Sequence, residues 1–247
     1  IEEKREEGVF LSVLGFGMGN YKDAKMEKLS NAGNGNYAYI DNILEAKKVL
    51  STDIHKTLFT VAKDVKIQIE FNPQHVEQYR LIGYENRLLE DRDFNDDKKD
   101  AGEMGSGQSV TALYEIIPKG APVDSSLVPA KTDAPKYQSV VLNDAAQSKE
   151  LLTLKVRYKN PKDTISQLIT HILKDKNKKP KRTSENFRFS AAVAGFGLLL
   201  RNSEYKGSVS YEKILEMARS AKGTDQYGYR SEFIKLVEMC SLLKDEE

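Results

Sequence analysis

The chain has no tryptophan, one cysteine, three histidines and seven prolines in 247 residues. With Cys240 alone, no internal disulfide can form, so cysteine usage is silent about the redox compartment. His55, His75 and His171 are far apart in sequence, and none has a companion at metal-ligand spacing. Long hydrophobic runs are missing too. The longest, residues 187–200, carries Arg188 and Ser190 and falls short of the roughly 20 residues that cross a bilayer. It reads as a buried helix and not as an anchor. Charge of one sign is also lacking, because 38 basic and 37 acidic residues leave a formal net charge of +1. The total therefore implies neither nucleic acid nor an acidic substrate as partner. Ile1 followed by the charged run EEKREE is neither an initiator methionine nor the basic-then-apolar start of a signal peptide. The start is expected to be a cut within a longer chain.

What the chain does have is length and patterning. At 39% hydrophobic residues it can bury one large core or two to three small ones, and more than one domain is expected. Residues 9–16, VFLSVLGF, form a continuous apolar run rich in β-formers and closed by glycines, as in a strand covered on both faces. A short helix is expected from Asn20 and Asp23 to the stop at Gly33 and Gly35. A second strand is expected at 36–40, NYAYI. Asn42 and Glu45 have capping-box spacing at the start of a longer helix through about His55. Strand, helix, strand, helix is the order of a crossover unit with a parallel strand pair.

From about residue 59 to 173 the pattern changes to a run of strands. In VKIQIEF, Val65, Ile67, Ile69 and Phe71 alternate with Lys66, Gln68 and Glu70, the period-two pattern of a sheet with one wet face. Further strands are expected at 79–84, 110–117, 151–158 and 165–173. Several short strands joined by polar loops suggest a β-sandwich-like middle. The basic, proline-bearing stretch 174–182, KDKNKKPKR, then leads into three expected helices at 184–201, 210–221 and 229–243, with Ser210 as a cap and Gly207 and Gly223 as punctuation.

The segment 8–50, GVFLSVLGFGMGNYKDAKMEKLSNAGNGNYAYIDNILEAKKVL, resembles the closing half of a von Willebrand factor type A domain. VKIQIEFNP, YRLIGYENRLL, DFNDDKKDAGEMGSGQSVTALYEI, LLTLKVRYK and ENFRFSAAVAGFGLLLRNSEYKG are similar to the C-terminal region of a group of bacterial type A proteins. The resemblance implies adhesion or protein assembly. Type A domains commonly bind a divalent cation through an Asp-x-Ser-x-Ser motif with a Thr and an Asp on neighbouring loops, all upstream of the strand matched here by 9–16. The look-alike Asp124-Ser125-Ser126 has Val128 in place of the second serine and lies between Pro122 and Pro129.

Other motifs weaken on inspection. Gly15, Gly17 and Gly19 follow a strand, but a dinucleotide-binding turn needs its third glycine at Asn20, and only Asp41 could serve as the acid after the next strand. The acidic loop Asp91, Asp93, Asn95, Asp96, Asp97, Asp100 and Glu103 could supply oxygen ligands to Ca²⁺. An EF-hand begun at Asp91, however, puts Asp96 at the required glycine and Gly102 at the bidentate acid. Neutralisation by Arg87, Arg92, Lys98 and Lys99 is the plainer reading. Cys240 lies on the apolar face of the last helix beside Ile234 and Val237, as a buried structural thiol does. The basic stretch 174–182 lacks interleaved aromatics and reads as a solvated linker. Tyr37, Tyr39, Tyr79, Tyr84 and Tyr158 read as half-buried strand residues.

The sequence thus predicts an α+β chain in three parts. These are the end of a type A-like doubly wound unit at 1–58, a β-rich sandwich-like region at 59–175 and a helical bundle at 183–247. No catalytic, cofactor-binding or metal residue is assigned, because no nucleophile–base pair or cluster of perturbed acids is visible. The expected role is a non-enzymatic protein-interaction, adhesion or assembly module of the bacterial envelope, lipid-anchored through its parent protein. A ligand- or Ca²⁺-binding sensing module is the alternative. Protein partners are expected, including self-association through residues 1–50, with no nucleic acid and no transmembrane segment.

Overall fold

Glycine spacing sets the first element pair. Strand β1 (Leu11–Phe16) lies parallel to β2 (Asn34–Ile40), with Leu11 opposite Asn34 and Phe16 opposite Ile40. The approach is so close that a Cβ on Gly35 would stand 1.9 Å from the Leu11 carbonyl oxygen. Helix α1 (Glu2–Glu6) precedes the pair and α2 (Asp23–Ala32) joins its strands, as the crossover pattern predicts. A computed structural model describes residues 1–17, 22–122, 136 and 141–244, apart from the side chains of Glu6, Asn86 and Lys244. Asn20, Gly19 and the Asp124-Ser125-Ser126 look-alike lie outside the described residues.

Asn42 caps α3 (Ile43–Lys47), its Oδ1 accepting from the amides of Leu44 at 2.8 Å and Glu45 at 3.0 Å. The expected long helix does not run on. It passes into a π turn at Lys48–Thr52, breaks at Asp53, and resumes as α4 (Ile54–Leu58). Val49, Ser51 and Thr52 are weak helix formers, which leaves this stretch to be shaped by its surroundings.

The middle region forms β3 (Thr60–Phe71), β4 (Val76–Ile82), β5 (Gly102–Gly105), β6 (Leu113–Pro118), β7 (Glu150–Lys159) and β8 (Gln167–Lys174). A four-stranded sheet has the order β5-β3-β7-β8, and β4 pairs antiparallel with β6. The expected two-faced alternation in β3 does not hold. Lys66 is 3% exposed while Ile67 is 42% exposed, because the register shifts on either side of Ala62, between Thr60 and Val65, and Asp64 adopts φ +50°. Such a bulge re-aims the side chains that follow it.

The helical end matches its sequence signals closely. Helices α5 (Glu185–Leu200), α6 (Tyr211–Ser220) and α7 (Tyr229–Lys244) start behind the caps Ser184, Ser210 and Asp225. Ala192, Phe196, Ile214, Ala218, Ile234 and Val237 form their core, with Cys240 packed on its margin. Phe233 meets Phe189 and Phe196 edge-on at 5.3 and 5.6 Å. Among the described residues no helix is long and apolar enough to cross a membrane.

The fold is α+β. Two compact units emerge, neither of them a contiguous stretch of chain: Ile1–Glu70, Leu88–Val110 and Thr153–His171 in one, Phe71–Arg87, Thr111–Leu152 and Ile172–Glu247 in the other. In the second, the Phe71 ring packs tilted against Tyr79 with centroids 4.4 Å apart, and the Asn72 side-chain amide donates to the carbonyls of Ala146 and Glu150 at 3.0 and 2.9 Å.

Candidate functional site

The acidic loop is the site most worth building from its residues, and its order comes from groups outside it. Phe94, 3% exposed, anchors the short 3-10 turn Asp91–Asn95, with the Arg157 guanidinium 5.4 Å from its ring centroid. Arg157 also donates to Asn95 Oδ1 at 2.9 Å and to Ser166 Oγ at 3.0 Å. Two buried lysines then fix the main chain. Lys66 Nζ donates to the carbonyls of Asp93 at 3.1 Å and Asp96 at 2.5 Å. Lys159 Nζ donates to the Asp97 carbonyl and to Asp64 Oδ2, both at 2.6 Å.

These ammonium groups take up main-chain oxygens that a calcium loop would offer to its ion. The backbone oxygens that could converge on a cation are already bonded to lysines. Burial, with help from the Lys159 charge and against Asp64, Asp96 and Asp97, holds the Lys66 pKa below its usual range. The acids of the loop also diverge. Asp93 pairs with Lys99 at 2.9 Å, Asp96 accepts from the Lys98 amide at 2.9 Å, and Asp97 accepts from the Ser166 amide at 3.3 Å. Hydrogen bonds from Ser166 keep the Asp97 carboxyl below its ordinary pKa.

Of the acids singled out in the sequence, Asp100 and Glu103 do come together, with Asp64 of β3 as third member. Their carboxylate oxygens lie within 4.8 Å of one another. Asp64 accepts from Lys159 and from the Ala101 amide at 3.2 Å. Asp100 pairs with Arg5 at 3.1 Å and accepts from Asn34 Nδ2 at 3.0 Å. Glu103 Oε1 accepts from the same Asn34 nitrogen at 3.4 Å, while its buried Oε2 has no partner among the described residues. Burial first, then the charges of Asp64 and Asp100, push the Glu103 pKa up to about 7, with Lys63 opposing.

Chemically, the trio can share a proton or hold a small cation. A cation would have to compete with Lys159 for Asp64 and with Arg5 for Asp100. Sequence reading missed Asp64, Lys66, Lys159 and Arg157. An aspartate inside a strand is a poor β-former and was a usable signal for the bulge, but a lysine in strict alternation looks solvent-facing until the bulge is seen.

The remaining candidates stay apart. Gly15 is within β1 and Gly17 has φ +88°, while Asp41 bonds its neighbour Asn42 at 2.7 Å. His75 meets the Ser148 carbonyl at 2.8 Å, and Gly107 is next to His55. The three acids are the metal-capable cluster among the described residues. Every residue of 174–182 is exposed. Of the tyrosines, Tyr39 is 37%, Tyr79 58% and Tyr84 39% exposed, Tyr37 and Tyr158 are less open, and Tyr84 lies past the end of β4 rather than on a strand.

Comparison with known proteins gives three findings. Residues 56–243 match the family described as "Uncharacterized protein YfbK, C-terminal". The chain is 44% identical over 248 residues to "Uncharacterized protein YfbK" of Escherichia coli (strain K12), covering 99% of this chain and 41% of that protein. It therefore spans well under half the length of that curated relative. The crystal structure of the ArnB paralog VWA2 from Sulfolobus acidocaldarius aligns at 15% identity with a TM-score of 0.41, covering 90% of this chain and 50% of that one. A likeness that loose carries no argument.

Proposed function

The chain belongs to the YfbK C-terminal family, and from that premise we propose that it is a non-enzymatic protein-interaction and assembly module of a bacterial envelope protein. In this reading the segment at 1–58 closes a type A-like unit whose cation-binding loops belong to another part of the parent protein. The observation that carries the proposal is the apolar surface of the first segment. Val9 is 57%, Leu11 38%, Phe16 61%, Ile43 81% and Leu44 74% exposed around a sheet of two parallel strands. Parallel pairs are stable when both faces are covered, and a free edge beside exposed apolar groups is a template for pairing with another chain. Fully covering an exposed Leu or Phe side chain contributes about 1.5–3 kcal/mol, and these part-exposed residues contribute correspondingly less, so the whole patch has to be covered to offset the cost of association.

Light scattering at micromolar concentration is expected to give a dimer or higher species. Deleting residues 1–50 returns it to a monomer, and so does Phe16→Asp, which alters a largely exposed side chain and leaves the circular dichroism unchanged. A monomeric parent chain that binds no hydrophobic dye would overturn the proposal.

The second reading, a Ca²⁺-binding sensor, is supported by the convergence of Asp64, Asp100 and Glu103 and opposed by the Lys159 and Arg5 pairs. Calorimetric titration with Ca²⁺, Mg²⁺ and Mn²⁺ decides it. The interaction reading expects no one-to-one binding at micromolar affinity for any of the three.

A further inference from the structure

Strand β8 departs from the way natural sheets guard their edges. It ends the order β5-β3-β7-β8, so one row of its amides and carbonyls has no neighbouring strand among the described residues. All eight of its residues are exposed. Because successive side chains point to opposite faces, both faces of the sheet are bare at this edge. Leu168, Ile169, Ile172 and Leu173 are each 43–54% exposed. Edges are ordinarily blunted by lysines, prolines, bulges or a covering element. Over LITHIL, residues 168–173, this strand has no proline, lysine or acid.

The chain then runs straight from β8 into Lys174, Lys176, Lys178, Lys179, Lys181 and Arg182, opposed by the single acid Asp175, and every residue of 174–182 is exposed. An apolar, hydrogen-bonding edge continued by a concentrated positive charge has a definite complement. We infer that β8 accepts an extended segment of a separate partner protein as an added strand, and that this segment alternates apolar residues and is flanked by acids that lie against the basic tract. Main-chain hydrogen bonds supply the affinity of strand addition, and side chains supply its specificity. A second copy of this chain fits less well. In an antiparallel pairing of β8 with itself, each basic tract meets residues 160–166 of the other copy, where Lys162 and Asp163 cancel. The inference rests on the interaction-module reading but uses a surface distant in sequence from residues 1–50.

The test uses the whole chain and three fluorescein-labelled peptides: four glutamates followed by alternating Ile and Thr, the same with four lysines, and the acidic peptide with alternate backbone nitrogens methylated. Fluorescence anisotropy is expected to show saturable one-to-one binding of the first, at least tenfold weaker binding of the second and none of the third. Binding of the first weakens by about tenfold on raising salt or in Lys178→Glu with Lys179→Glu. It is lost in Ile172→Lys with Leu168→Lys, and the circular dichroism of both variants stays unchanged. Equal binding of the methylated peptide would remove the strand-addition step, and failure of the acidic peptide to bind would overturn the inference altogether. If the parent-length protein refuses a peptide that this chain accepts, the edge is filled by the parent's own chain and the separate partner is wrong. If the β8 lysine variants abolish a dimer that survives Phe16→Asp, a second copy occupies the edge instead. Peptide binding by a strictly monomeric chain leaves this inference standing and removes the self-association reading, so the two fail separately.

Discussion

Replacing Glu103 by glutamine isolates the electrostatic cost of the acidic trio. The unfolded chain ionises this carboxyl near 4.5, whereas the folded chain holds its proton until about pH 7. Between those values the folded state binds a proton that the unfolded state does not, so stability falls as pH rises from about 4.5 to about 7 and then levels off. At 1.36 kcal/mol per pH unit the largest effect is about 3 kcal/mol. Glu103 is half-buried, and solvent screening reduces this to about 1–2 kcal/mol. Glutamine keeps the shape and cannot ionise. Urea unfolding followed by circular dichroism should show Glu103→Gln equal to wild type near pH 4.5, and more stable by about 1–2 kcal/mol near pH 8. Asp100→Asn removes one of the two negative charges that raise this pKa, so in that background the window closes at lower pH. A Glu103→Gln difference that is flat with pH, or that grows toward acid, would refute the account of the trio.

Other perturbations test separate parts of the fold. Lys159→Met strands the Asp64 carboxylate, whose side chain is 16% exposed, and should cost about 3–5 kcal/mol in chemical denaturation. Asp225 accepts from the amides of Arg230 and Ser231 and from the Ser231 hydroxyl. Asp225→Ala removes the cap of α7 and should destabilise the helical end by about 1–2 kcal/mol, with Asp225→Asn milder. Limited trypsin digestion is expected to cut first within 174–182, where the chain is exposed throughout and rich in lysine. Mass spectrometry placing the first cuts elsewhere would show this stretch to be protected.

The parts of the fold most legible in the sequence are those decided within four residues. Ser184, Ser210 and Asn42 announce their helices because a cap is satisfied by an amide two or three positions on. The parallel pairing of β1 with β2 follows from two apolar runs separated by a helix. The candidate site was half legible. Asp100 and Glu103 stood out as acids, but their third member and their counter-charges arrive from strands far along the chain. Lys66 misled because its alternation with Val65 and Ile67 is regular in sequence, while the bulge at Asp64 shifts the phase. Strand β5 was missed because GEMG offers one apolar side chain in four residues and is held by pairing with β3. The acidic loop was judged from the spacing of its carboxylates and from the basic residues beside them, and the Lys66 and Lys159 contacts to its carbonyls leave no trace in that spacing.

The two lysines also impose an order of events on synthesis. Lys66 is 27 and 30 residues before the carbonyls it binds, so its half of the loop can close as soon as the loop itself has emerged. Lys159 is 62 residues after Asp97 and 95 after Asp64. At about 5–20 residues per second, the nascent chain waits roughly 3–12 s between making Asp97 and making the cation that secures it. During that interval the Asp64 carboxylate and the loop are tethered from one side, and closure must then span a long stretch of chain. The helical end, built almost wholly from contacts near in sequence, has no such wait. A ribosome stalled before residue 159 should therefore carry a loop that protease cuts faster than the same loop in a completed chain, where Lys159 holds it.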